Sequence, residues 1–140
     1  MNDQTSFKRI AALSAIIAGP VALASFVVVS LAVAFDFEVM NDTAALVLLG
    51  AGAAEIFRWG EVLGTFGFYL LLVPAALFLR YWLRPRSPNL VDLYAVMGLA
   101  YLFIGAAGAA LRASVLPAMM AAYADAPTAE QVPLRPISVP

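Results

Sequence analysis

Three long apolar runs separated by short polar breaks set the pattern of this chain. The first, "IAALSAIIAGPVALASFVVVSLAVAF", runs from Ile10 to Phe35 without a charge. It is about 26 residues long, and about 20 suffice to cross a bilayer core. The second has an uncharged part from Val62 to Leu79 and exits into Arg80, Tyr81, Trp82, Arg84 and Arg86. The third, "LVDLYAVMGLAYLFIGAAGAAL", covers Leu90 to Leu111. This pattern predicts membrane helices near 10–35, 59–83 and 90–112. Residues 36–54 begin polar, with Asp36, Glu38 and Asp42, and then turn apolar. The apolar piece "AALVLLGAGAA" is too short to span, so an extracellular interfacial or re-entrant segment fits it better. Asp42 or Thr43 could cap a short helix there. The prediction is therefore an all-α integral membrane bundle of three transmembrane helices. Residues 1–125 form one membrane domain, and residues 126–140 form an irregular, proline-rich tail.

Prolines refine the helix map. Pro20 and Pro74 should kink the first and second helices. "RPRSPN" reads as a tight connection in which Asn89 can cap the third helix. "ASVLPAMMAAYADAP" can extend that helix past Pro117 with a bend. In the tail, Thr128 and Gln131 have capping-box spacing, yet Pro133 and Pro136 oppose a helix.

Charge orients the bundle. Lys8, Arg9, Arg80, Arg84 and Arg86 fall on one side of the predicted spans, and Arg58, Arg112 and Arg135 on the other. Basic residues are retained on the cytoplasmic side, so the N-terminus is expected inside the cell membrane. A cleaved signal peptide is the competing reading of the first run, with Ala32-Val33-Ala34 as a small-x-small site. The run is much longer than a signal core. Composition agrees with a membrane class: 64% of residues are hydrophobic and 12% charged, against about a quarter charged in soluble domains. There is no Cys and no His. That leaves no thiolate metal site and removes the commonest general base and metal ligand. No catalytic, cofactor or metal residue is assigned, and an enzyme is not expected. The net charge of −1 gives no reason to expect nucleic acid.

The candidate site is an outer polar cluster. "GAAEIFRWGEVLGTFG" places Glu55, Arg58 and Glu61 within one third of a helix surface, with Thr65 and Tyr69 continuing the stripe. Arg58 lies three residues from each glutamate and can pair with both. On the third helix Tyr94, Gly98, Tyr101, Gly105, Gly108 and Arg112 form a heptad-like seam. Gly98, Gly105 and Gly108 let another helix come close, so the seam is expected to be a packing face. Arg112 ends it at the depth of Glu61, and antiparallel helices would bring these two together. Asp92 falls on the other side of the helix and reads as a cap, with a proton relay as the functional alternative. The first helix offers a small-residue face of Ala11, Ala15, Gly19 and Ala22, flanked by Ser14 and Ala18.

Several stretches carry a resemblance to a known family. "KRIAALSAIIAGP", "FRWGEVLGTFGFYLLLVPAALFLRYWL" and the Gly/Ala-rich third span resemble bacterial multi-pass membrane proteins of domain-of-unknown-function family 4386, over residues 7–125. The family's activity is undefined, so the resemblance implies no catalytic residue. It implies further helices after the third. The proline-rich tail stands in their place, so the chain is expected to be a fragment if the frame beyond codon 140 encodes more apolar spans. The leading functional expectation is a non-enzymatic assembly or accessory component. Its partners would be the lipid bilayer and other membrane helices or further copies of itself. The alternative is part of a transporter or channel, with Glu55, Arg58, Glu61 and Arg112 around an outer polar vestibule.

Overall fold

The computed structural model describes residues 3–126. The predicted tail, with Thr128, Gln131 and Arg135, lies outside the described residues except for Ala126. The described residues are almost all helical, with short turns between the elements and no strand among them. Three stretches are long and apolar enough to cross a membrane: Thr5–Ala32, Ala51–Leu83 and Pro88–Asp125.

Helix α1 (Asp3–Ala32) continues through Pro20. It ends in paired bonds from Phe35 N–H to Ser30 O (2.8 Å) and from Ala34 N–H to Leu31 O (3.2 Å). These are the 6→1 and 5→2 bonds of a Schellman cap. Such a cap needs a left-handed residue, and here Ala34 (φ 51°) and Phe35 (φ 62°) both adopt that region. Two short helices follow, α2 (Phe37–Asn41) and α3 (Thr43–Leu48). Asp36 accepts from the Glu38 and Val39 amides, and Asp42 accepts from the Ala44 amide. Asp42 thus caps α3, and satisfying free amides is what makes aspartate favourable there.

Helix α4 (Ala51–Gly64) begins after Gly50, whose φ of 72° suits glycine. The second helix therefore starts about eight residues before the predicted boundary near 59. The charges at Glu55 to Glu61 do not mark its beginning; the helix simply continues beyond the apolar part. "AALVLLGAGAA" is split accordingly between α3 and the first turn of α4, with Leu46 and Val47 buried. Below α4 come a π-helical turn, Thr65–Tyr69, and a 3₁₀ turn, Leu70–Leu72. Helix α5 (Val73–Leu83) completes the span. Pro74 explains the irregularity: it has no N–H to offer the Leu70 carbonyl and its ring crowds that group. The ladder widens and then tightens above it.

Helix α6 (Pro88–Asp125) has Ser87 at its N-cap and Pro88 in its first turn. It continues through Pro117 and well past the predicted limit near 112. Its 38 residues would span about 57 Å, far more than the roughly 30 Å of a bilayer core. The second span packs against α1 on one side and α6 on the other. At the end where α1 stops, α2 and α3 fill the space. There Val29, Val33, Leu46, Val47, Phe57, Leu116 and Met120 form the hydrophobic core. This is the capped end. The opposite end, with the start of α1 and the turn between α5 and α6, is the hairpin end. Helix α5 has no buried residue.

Glycine placement corrects the expected seam. A Cβ on Gly105 would run into the Tyr69 ring, but Gly98 and Gly108 have no neighbour within 4 Å. The buried line of α6 is instead Leu102, Ala106, Ala113, Leu116 and Met120. It is displaced by about one residue from the glycines, so Leu102 belongs to the contact face. On α1, Ala11, Ser14, Ala18, Ser25 and Val29 are buried, whereas Gly19 is open. The closest helix approach uses Gly60, Gly64 and Gly67 of the second span. A Cβ there would meet Val29, Ser25 and the Ala22 backbone respectively. Ser25 Oγ donates to the Gly60 carbonyl across that interface at 2.8 Å.

Candidate functional site

The polar cluster separates into two pairs. Arg58 Nη1 lies 3.1 Å from Glu55 Oε2, one helical turn away, and both side chains are exposed. Arg112 Nη2 lies 3.2 Å from Glu61 Oε1, bridging α6 and α4. Of the two glutamates within its reach Arg58 pairs with Glu55, and Glu61 is left to Arg112. The cause lies in the face of α4. Ala54, Phe57, Gly60 and Gly64 are buried, and Glu61 shares that face while Glu55 and Arg58 turn away.

Burial makes the interhelical pair distinct. The Glu61 side chain is 13% exposed and that of Arg112 50%. The Arg112 guanidinium also lies 5.6 Å from the centroid of the Phe57 ring, a cation–π arrangement over a fully buried aromatic. Glu61 borders a cavity of about 200 Å³ with Ser25, Gly64, Phe68 and Tyr69. Arg112 borders another of about 490 Å³ with Asn41, Thr43, Leu46 and Met119. Thr65 Oγ1 donates to the Glu61 backbone carbonyl at 2.9 Å, and the Tyr69 ring packs tilted against that of Tyr101, centroids 6.2 Å apart. The predicted polar stripe thus leads from Glu61 into the π-helical turn. Chemically this is an ion pair with a polar lining; among the described residues no group of three or more acidic side chains converges as a metal site.

At the hairpin end the structure shows a second ionic arrangement. Asp92 Oδ1 accepts from Arg80 Nε at 2.8 Å, and its Oδ2 lies 3.4 Å from Arg84 Nε. The capping reading of Asp92 is corrected. With Ser87 rather than Asn89 at the N-cap, Asp92 sits beyond the first turn and faces α5. Arg86 lies over Trp82 at 5.2 Å. Two features went unread in the sequence. One is this arginine–aspartate bridge, signalled by residues equally far from a tight turn. The other is the Gly60, Gly64, Gly67 stripe, at the same spacing of four and three as the seam on the third helix. In comparisons with known proteins, no family model, curated protein or solved structure matches this chain.

Proposed function

We propose that this chain is a multi-pass component of a bacterial cell membrane, with its N-terminus in the cytoplasm and no catalytic role of its own. It serves assembly: its apolar faces pack against lipid, other membrane helices or further copies of the chain. The observation that carries this reading is how little of the apolar surface the fold consumes. In the most apolar window of the second and third spans only 11% is buried. A resemblance to domain-of-unknown-function family 4386 is compatible with this reading and adds no activity to it. The orientation is supported by Lys8, Arg9, Arg80, Arg84 and Arg86 at the hairpin end. Cysteines introduced at Thr5 and Ser87 should resist an impermeant thiol reagent on intact cells, and one at Asn41 should react. The reverse pattern would invert the protein.

The transport alternative draws on Glu61, placed above a π-helical turn, a feature frequent at functional sites. Liposomes containing the chain should pass ions no faster than empty ones. Flux that disappears with Glu61→Gln would overturn the assembly reading in favour of transport.

A further inference from the structure

The hairpin end combines three features that its fold does not require together. The first is a groove between α5 and α6 of about 330 Å³, bordered by Leu79, Leu83, Val91 and Gly98 with Arg80 and Tyr94. It follows the two antiparallel helices from Arg80 and Val91 near the turn to Ala76 and Gly98 deeper in the span. Its depth at the far end comes from Gly98, where an added Cβ would meet nothing within 4 Å.

The second feature is excess positive charge at the mouth. Asp92 engages Arg80 and Arg84 through their Nε atoms. Each guanidinium carries two further terminal nitrogens besides the Nε that Asp92 engages, and Arg86 lies over Trp82. Lys8 and Arg9 stand exposed at the same end, because Phe7 packs 6.2 Å from Phe78 and so holds the start of α1 beside α5. The carboxylate of Asp92 alone cannot neutralise this set. The third feature is an aromatic belt: Tyr81, Trp82 and Tyr94 are exposed, at the level where aromatic rings meet lipid headgroups.

We infer that the α5–α6 groove at the hairpin end binds one acidic phospholipid, with its phosphate on Arg80 and Arg84 and an acyl chain laid over Gly98. Charge complementarity selects this occupant. A zwitterionic lipid brings a cationic group to a mouth already rich in guanidinium, and free phosphate leaves the apolar groove empty. Arginine suits the task because its planar fork can give two bonds to one phosphate. Basic pockets between membrane helices are a known physical solution for such headgroups. Asp92 acts as a positioning residue: it holds the two Nε groups and directs the remaining donors outward.

The inference rests on the membrane reading, and two measurements keep them separable. Alkaline carbonate washing of membranes tests the membrane reading: the chain should stay in the pellet, and its release would overturn both. The lipid site is tested on purified protein in mild detergent, given equal amounts of dioleoyl phosphatidylglycerol and dioleoyl phosphatidylcholine. Bound lipid is counted by native mass spectrometry. Phosphatidylglycerol should be retained in preference, and inorganic phosphate should not displace it at equal concentration. Arg80→Gln and Arg84→Gln should each lower retention about fivefold. Gly98→Leu fills the groove from open space, so it should lower retention several-fold without shifting the thermal midpoint. Gly108→Leu, equally open but outside the groove, should leave retention unchanged. Equal retention of the two lipids, displacement by inorganic phosphate, or undiminished retention in Gly98→Leu would overturn the site.

Discussion

The two ends of this bundle solve the problem of charge beside lipid in opposite ways. At the capped end, α2 and α3 close over the helices, Phe57 and Met120 are fully buried, and Glu61 is drawn under the cover with Arg112 as its counterion. At the hairpin end no comparable core exists among the described residues. Asp92 and its arginines remain partly exposed, and Leu79, Tyr81, Trp82, Leu90 and Leu93 nearby are exposed. The difference follows from helix length. Helices α4 and α6 extend past the point where α1 stops, so the capped end must supply its own interior. The hairpin end lies where all three spans are present, and their outer faces stay apolar and exposed. The capped end is thus organised by packing, and the hairpin end by interfacial charge and aromatic residues.

The sharpest way to break this comparison is to remove one aromatic ring from each end. Phe57→Ala should empty the centre of the capped core. Large-to-small substitutions of a buried Phe cost up to about 3–5 kcal/mol. Phe78→Ala, which loses a tilted contact with Phe7 at a partly exposed site, should cost much less. Resistance to denaturing detergent measures both. Equal losses would mean that the hairpin end has a core of its own.

Glycines give the next largest effect and show where helices touch. Gly67→Leu must push α1 away, because even a Cβ overlaps the Ala22 backbone. Overpacking of this kind costs typically about 1–3 kcal/mol. Gly105→Leu meets the Tyr69 ring, which can rotate or shift, so its effect should be smaller. Gly108→Leu should be tolerated. Leu102→Ala should also destabilise, since Leu102 is buried. If Gly108→Leu matches Gly67→Leu in the same detergent assay, the open glycine is in contact with a second molecule.

These particulars show what was legible in the sequence. Span number followed from apolar length alone. The Glu61–Arg112 depth was readable because both residues lie nearly the same distance along the chain from the α5–α6 turn. Which glycine stripe touches a neighbour was not readable. "GEVLGTFG" and "GLAYLFIGAAG" offer similar small-residue spacing, and a membrane helix is as apolar outside as inside, so hydrophobicity cannot tell the two faces apart. Only the position of the second span between the other two decides it. The start of α4 was misplaced for a related reason: charges report where a helix meets water, while helices can run on beyond that boundary. Asp92 shows the sensitivity of capping rules to register. Moving the N-cap from Asn89 to Ser87 took its carboxylate out of the first turn and into reach of Arg80.

The ion pairs give effects that differ between the two partners, and they test the comparison most finely. Glu61 is 13% exposed and Arg112 50%, so losing either partner should not be equivalent. Arg112→Gln strands a carboxylate under the cap. An unsatisfied buried group costs about 1–3 kcal/mol, more if charged. Glu61→Gln leaves a guanidinium that still lies over Phe57 and can turn toward water, so its cost should stay nearer the 0–1 kcal/mol or so of an exposed pair. The double substitution should cost less than the sum of the two, because residues in direct contact couple. Asp92→Asn at the hairpin end should show little loss, and its effect should shrink further in high salt, since exposed charges are screened. The asymmetry is the decisive feature. If Arg112→Gln and Glu61→Gln destabilise equally, Glu61 is open to water in the protein. The capped end would then handle its charges as the hairpin end does.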